Sequence, residues 1–160
     1  MAESCDRAWR LATLRASVAV WNAWRHEHPD AYSSLCGADL RSAHLREAQL
    51  YGVDLSFAQL SGADLSGADL RGARLFRADL SGANLSEQEL FGVDLSCANL
   101  TGANLSQATL WGTDLSGACL QGADLTDTKL FNVDLTDADL TDAHLTGAYP
   151  NGDDSDQVPF

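Results

Sequence analysis

Leucine occupies every fifth position from Leu35 to Leu145, 23 times without a miss, and no other property of the chain limits its folding so sharply. At roughly 100° per residue, leucines five apart would step about 140° around a helix and never share one face, so the period excludes an α-helix over this stretch. Extended chain accommodates it. The small residue two positions before a leucine (Ala38, Ala43, Ala63, Ala68) then points the same way as that leucine, and the Asp or Asn between them points outward. Two consecutive outward positions remain in each unit. They break the strand alternation and turn the chain, often at a glycine such as Gly62, Gly67, Gly82 or Gly102. Each pentapeptide therefore reads as one short side followed by one corner.

Decoration on a longer interval sets the number of sides. Tyr51-Gly-Val-Asp-Leu, Phe91-Gly-Val-Asp-Leu, Trp111-Gly-Thr-Asp-Leu and Phe131-Asn-Val-Asp-Leu follow one another at intervals of 40, 20 and 20 residues. Twenty residues per coil means four sides, a square solenoid whose successive coils stack at about the 4.8 Å spacing of paired strands. These units, with Ser-Gly-Ala-Asp-Leu at 61–65 and 66–70 and Thr-Gly-Ala-Asn-Leu at 101–105, resemble the pentapeptide-repeat family, A(D/N)LXX. The resemblance covers residues 33–149. It implies an all-β solenoid, a right-handed quadrilateral parallel β-helix with leucine and the small residue inside, and it says little about function, because the family hosts unrelated roles.

The expected interior of leucine and alanine layers leaves no room for a cofactor, so any activity lies on the outside or at the ends. Ends are the weak point of a solenoid, since they expose unpaired backbone and core side chains. Within residues 1–32, a capping helix is expected over 4–28: Leu11, Leu14, Val18 and Trp21 follow helical spacing, Trp9 and Trp24 flank the stripe, and Pro29 marks the stop. A tryptophan-rich helix that docks a partner is the alternative. Arg7, Arg10, Arg15 and Arg25 make this stretch too polar for a membrane span or signal peptide, which points to the cytoplasm. Residues 150–160 show no helical pattern and are expected to be a disordered acidic tail. The chain is expected to be a monomer or a weak dimer through an end coil. Cys5, Cys36, Cys97 and Cys119 show no paired metal spacing and are expected to be free thiols.

Charge divides the chain. Residues 1–77 hold nine Lys or Arg against nine Asp or Glu, whereas residues 78–160 hold one, Lys129, against fourteen, so the whole net charge of −13 lies in the second half. Such a surface disfavours direct nucleic-acid binding. It is either the routine chemistry of Asp before leucine or an electrostatic binding surface. Three arginines look structural: Arg74 aligns between Asp54 and Asp94, Arg71 between Tyr51 and Phe91, and Arg77 beside Phe57, so ion pairing and cation–π stacking account for them.

Aromatic residues mark the candidate interaction face. Tyr51, Phe91, Trp111 and Phe131 share one column, flanked by Asp94, Asp114 and Asp134; exposed, such a ladder suits a protein partner, and self-stacking that stiffens one face is the alternative. No serine, histidine and acid converge, and His44 beside Asp64 or His144 beside Asp124 offers too few ligands for a metal. No catalysis is expected. One irregularity stands out at Ser86-Glu-Gln-Glu-Leu90, where Gln88 occupies an inward slot that normally holds alanine. A buried carboxamide needs partners, so this side is expected to bulge or to swing the amide out.

The sequence thus supports a non-enzymatic interaction module with an unidentified protein partner. The resemblance implies, as a narrower role, a DNA-mimicking modulator of DNA gyrase that confers resistance to topoisomerase poisons, although the C-terminal dimerisation element of those relatives is missing. A rigid structural spacer is the third reading.

Overall fold

The computed structural model describes residues 2–29, 31 and 33–150. From Ser34 onward the chain winds as a quadrilateral parallel β-helix in which residues pair with those 20 positions later, from Ser34 with Asp54 to Asp124 with His144. Most sides are single bridges, but one face forms true strands: β1 Glu89–Phe91, β2 Thr109–Trp111, β3 Lys129–Phe131 and β4 Tyr149–Pro150, parallel and in that order. The expected acidic tail falls almost wholly on 151–160, outside the described residues.

Every corner holds a residue in the left-handed region, twelve of them glycine and eleven not, Gln107 (φ 60°) and Asp127 (φ 56°) among the latter. For an L residue that conformation costs on the order of 1 kcal/mol, so the corners are held against their own preference by what they connect. What they connect is the core. Leucines from Leu35 to Leu125 are at most 1% exposed, each contributing roughly 2 kcal/mol against the unfolded chain. The Asp or Asn before leucine closes the next corner: Oδ1 of Asp54, Asp94, Asn104 and Asp114 accepts the backbone N–H of Ser56, Ser96, Ser106 and Ser116 at 2.8–3.0 Å.

The N-terminal helix is two helices, α1 Ala2–Ala16 and α2 Val18–Glu27. The continuous apolar stripe hid the break at Ser17, whose extended backbone (φ −161°, ψ 112°) and Oγ, accepting from the Val20 N–H, start a new helix. Helix α2 takes the place of the coil that would precede the first one. Trp21 Nε1 donates to Gln49 O at 2.9 Å, Asn22 Nδ2 donates to Glu47 O at 2.8 Å, and the Gln49 N–H finds Asn22 Oδ1 at 2.9 Å. Trp21 and Leu14 are fully buried, Leu11, Val18 and Trp24 pack partly buried against the core, and Trp9 stays 45% exposed with its ring edge against Trp24 at 5.8 Å.

Four polar side chains occupy inward slots; Ser33 Oγ, in the first coil, donates to Ala31 O at 3.3 Å, and one rule satisfies the other three. Gln88 Nε2 donates to Leu65 O at 3.0 Å, Thr128 Oγ1 to Leu105 O at 2.9 Å, and Thr113 Oγ1 to Leu90 O. Each reaches the leucine carbonyl 23 residues earlier, in the coil beneath. Threonine fits without disturbance at 128, where the corner bond from Thr128 N to Leu125 O persists at 3.1 Å. The longer glutamine does not fit. Among the described residues Asp69 to Glu89 is the one missing rung of the ladder, and the cross-coil bonds that the repeat makes elsewhere (Gly67 N to Ser86 O, Leu70 N to Glu89 O and Glu89 N to Ala68 O) are absent. The rungs close again on both sides, at Leu65 N to Asn84 O (3.1 Å) and Gly72 N to Phe91 O (2.9 Å). The expected distortion is therefore present, but the amide turns inward instead of out, because Leu65 O gives it a partner inside.

Candidate interaction face

The aromatic column lies on the face of β1 to β3. Phe91, Trp111 and Phe131 end these strands in register, and Trp111 packs against Phe131 in a tilted pair, centroids 5.7 Å apart and planes at 52°. Trp111 is 56% exposed, against half-buried Phe91 and Phe131. The residues after Phe91 and Trp111 are Gly92 and Gly112, where an added Cβ would meet nothing within 4 Å, and Asn132 takes the same place beside Phe131. Around the corner stand Asp94, Asp114 and Asp134, partly or fully exposed. The Thr136 hydroxyl and backbone N–H, both bonded to Asp134, hold its carboxyl below the usual carboxylate range.

Tyr51 shares this column two coils from Phe91 but is taken up by the N-terminal cap. The Arg25 guanidinium lies 4.1 Å over its ring, its hydroxyl donates to Pro29 O at 3.3 Å, and its carbonyl takes Arg25 at 2.8 Å. Arg25 is 2% exposed and also donates to Ala31 O; it clamps α2 to the first coil through carbonyls and a ring. The sequence shows Arg25 only as one more polar residue of the first stretch, and its one signal was its place opposite an aromatic in the capped coil.

The other arginines neutralise the N-terminal half. Among the described residues the ion pairs run from Asp39 to Arg71: Arg41 with Asp39 at 2.8 Å, Arg71 with Asp69 at 2.7 Å and Arg46 with Asp64 at 3.6 Å. Arg41 bonded to Asp39 holds that carboxyl far below its ordinary value, and the Arg71 side-chain bond lowers Asp69. For Asp64 the Ser66 hydroxyl bond is the larger cause, ahead of Arg46. Two alignments read from the columns change. Arg71 chooses Asp69 on its own side over the aromatics, and Arg77 lies over Phe76 at 5.2 Å instead of Phe57, which packs edge-on against Phe76 at 5.4 Å. Arg74 sits in register between Asp54 and Asp94 but forms no ion pair among the described residues. In the second half the described carboxylates are partly or fully exposed, with Lys129 the one cation among them.

His44 pairs with Asp64 and His144 with Asp124 on adjacent rungs, and no group of three metal-binding side chains forms among the described residues. Asp124 is held below its usual range first by Thr126 and then by His144. Cys36, Cys97 and Cys119 are free thiols; the Cys5 side chain lies outside the described residues. No helix among the described residues is long and apolar enough to cross a membrane.

The model for pentapeptide repeats matches in eight copies between residues 31 and 147. Among solved structures, the chain is similar to HetL of the cyanobacterium Nostoc sp. strain PCC 7120, a protein involved in regulating heterocyst differentiation (40% identity over 77% of this chain and 56% of that one, TM-score 0.38). It is similar to QnrB1, a plasmid-mediated fluoroquinolone resistance protein (29% identity over 71% of this chain and 60% of that one, TM-score 0.50). It is also similar to a protein of the Arabidopsis thaliana thylakoid lumen (36% identity over 64% of this chain and 71% of that one, TM-score 0.40). The chain thus spans less than two thirds of HetL and QnrB1. A comparison with curated proteins gives no match.

Proposed function

The chain belongs to the pentapeptide-repeat family, and from that premise we propose that it is a non-enzymatic interaction module whose β1 to β3 face docks a protein partner. One observation carries the reading: Trp111, 56% exposed and packed against Phe131, stands on the four-stranded sheet β1 to β4, in the half that holds all the net charge. An exposed aromatic ladder is apolar area at low entropic cost, the kind of anchor on which interfaces concentrate their energy. The carboxylates alongside select a basic partner surface and speed encounter. The half-buried rings of Phe91 and Phe131 also stiffen the sheet, and Trp111 is the ring with most area left to offer. A cytoplasmic setting, in which the thiols stay reduced, completes the reading.

DNA gyrase is the specific partner worth testing first. The acidic second half and the likeness to a fluoroquinolone resistance protein support it. The test is a supercoiling assay with and without a fluoroquinolone, titrating the wild type beside a Phe91→Ala/Trp111→Ala/Phe131→Ala variant. Inhibition of supercoiling, or protection from the drug, that is lost in the variant supports gyrase as partner and this face as the contact. Equal activity of the two proteins removes the face from the reading, and no effect of either removes gyrase.

A further inference from the structure

Where the rung at Asp69 and Glu89 is missing, the two coils part into a cleft of about 380 Å³ lined by Gly67, Ala68, Asp69, Arg71, Glu87, Gln88 and Glu89. It lies directly below β1, two residues along the chain from Phe91. Three features make it more than a gap. The carbonyls of Ala68 and Ser86 lose the partners that the repeat supplies elsewhere, and a backbone acceptor left without a partner favours any donor that reaches it. Gln88, only 3% exposed, commits its Nε2 to Leu65 O and leaves its Oε1 with no protein donor, at the wall of the cleft. The charges at the rim do not cancel, because Asp69, Glu87 and Glu89 stand against Arg71 alone, which bonds Asp69 twice and lies within electrostatic reach of Glu89, while Glu87 and Glu89 are exposed and form no ion pair among the described residues.

We propose that this cleft receives one cationic side chain, an arginine of the protein that docks on the aromatic face. The inference rests on that docking reading and names the chemistry it would use. A guanidinium is all donors, planar and permanently charged. Its fork reaches acceptors on both lips, Ala68 O below and Ser86 O and Gln88 Oε1 above, and the carboxylates of Glu87 and Glu89 balance its charge. An ammonium offers three donors from one compact centre, without the planar fork that matches acceptors on two sides; a carboxylate meets like charge at the rim. The two closed rungs, at Leu65 and at Gly72, limit the opening to a side chain and exclude an inserted strand. A partner segment lying along the rings of Phe131, Trp111 and Phe91 ends at this cleft.

The test uses the full chain and L-argininamide as probe, followed by NMR at constant ionic strength, with L-lysinamide as the control. Saturable shifts are expected at the amides of Gly67, Leu70, Gln88 and Glu89, at least tenfold weaker with lysinamide. Gln88→Ala restores the residue usual in that slot and so keeps the fold; it should abolish saturation, and Glu87→Gln/Glu89→Gln should weaken binding several-fold. Hydrogen exchange reports the cleft without any ligand: Gly67 and Leu70 should exchange faster than Gly62 and Leu65 in the wild type and equally slowly in Gln88→Ala. Equal protection in the wild type would show that the cleft does not open, and overturn the proposal. So would shifts that spread along Asp94, Asp114 and Asp134 and persist in Gln88→Ala. Trp111→Ala/Phe131→Ala should leave the titration unchanged, so a failed docking face and a failed cleft give different results; loss of the shifts in that variant would place the cation on the rings and end the proposal.

Discussion

The first and last coils are built from the same repeat and end differently. In the first, α2 covers the edge, its Trp21, Asn22 and Arg25 supply the hydrogen bonds of an absent neighbour, and Leu35, Leu40 and Leu45 are at most 1% exposed. In the last, Leu135, Leu140 and Leu145 are only partly buried and pack against the core from one side. Pairing between coils is a property of neighbours, so a repeat is as stable as what lies on either side of it. The comparison teaches that the helix stands in for a coil along one side, at Glu47, Gln49 and Tyr51, and that the stability of this solenoid is graded along its axis.

That gradient can be broken from the largest effect downward. Trp21→Ala should cost about 3–5 kcal/mol in urea unfolding, since it removes a fully buried ring and leaves Gln49 O without its donor. Leu85→Ala, in the middle of the stack and 0% exposed, should cost about 2–5 kcal/mol, whereas Leu140→Ala in the last coil should cost about 1 kcal/mol. Equal costs for the two leucines would show that the far end is covered as well as the near one.

Acid sharpens the comparison. Asp64 and Asp69 on the N-terminal side and Asp124, Asp134 and Asp139 on the other are all held below their usual value, by bonds to Ser66, Arg71, Thr126, Thr136 and Thr141 respectively. A carboxyl whose folded value lies below its unfolded value stabilises the fold above the unfolded value, about 3.9, and loses that contribution as pH falls through the folded value. The urea midpoint should therefore stay level from about pH 7 to 5 and drop below about pH 4. Thr126→Ala should make the drop shallower. A midpoint that rises in acid would mean that relief of the −13 charge outweighs these bonds.

The smallest effect is expected at a corner. Gln107 is exposed at φ 60°, and Gln107→Gly should stabilise by about 0.5 kcal/mol, relief of the left-handed strain less the added freedom of the unfolded chain. A loss on this substitution would show that the side chain has a role the corner does not reveal.

The coil, its four sides and its buried leucines were legible because one physical demand, a small residue and a leucine inside at each side, repeats without interruption. What escaped depends on single contacts across coils. The stripe from Leu11 to Trp21 reads as continuous, and only the cap geometry of Ser17 divides it. Tyr51 shares a column with Phe91 and Trp111, but the column does not say that α2 stops over it. Gln88 is recognisable as foreign to its slot, yet whether the amide turns in or out depends on the reach of its side chain to Leu65 O. Thr113 and Thr128 are equally foreign and pass unnoticed, being small enough to leave the period undisturbed.

The constant interval of 20 residues between paired positions also sets an order of assembly. No rung waits for a distant part of the chain, so closing each new coil costs the same modest loop entropy, and every coil finds its template already in place. As the chain emerges from the ribosome, the tryptophans of α2 precede the coils and offer the initial edge; each later turn is laid on the one before it. Folding can then follow synthesis one side at a time, and the half-formed molecule at any moment has a single open edge, at its growing end.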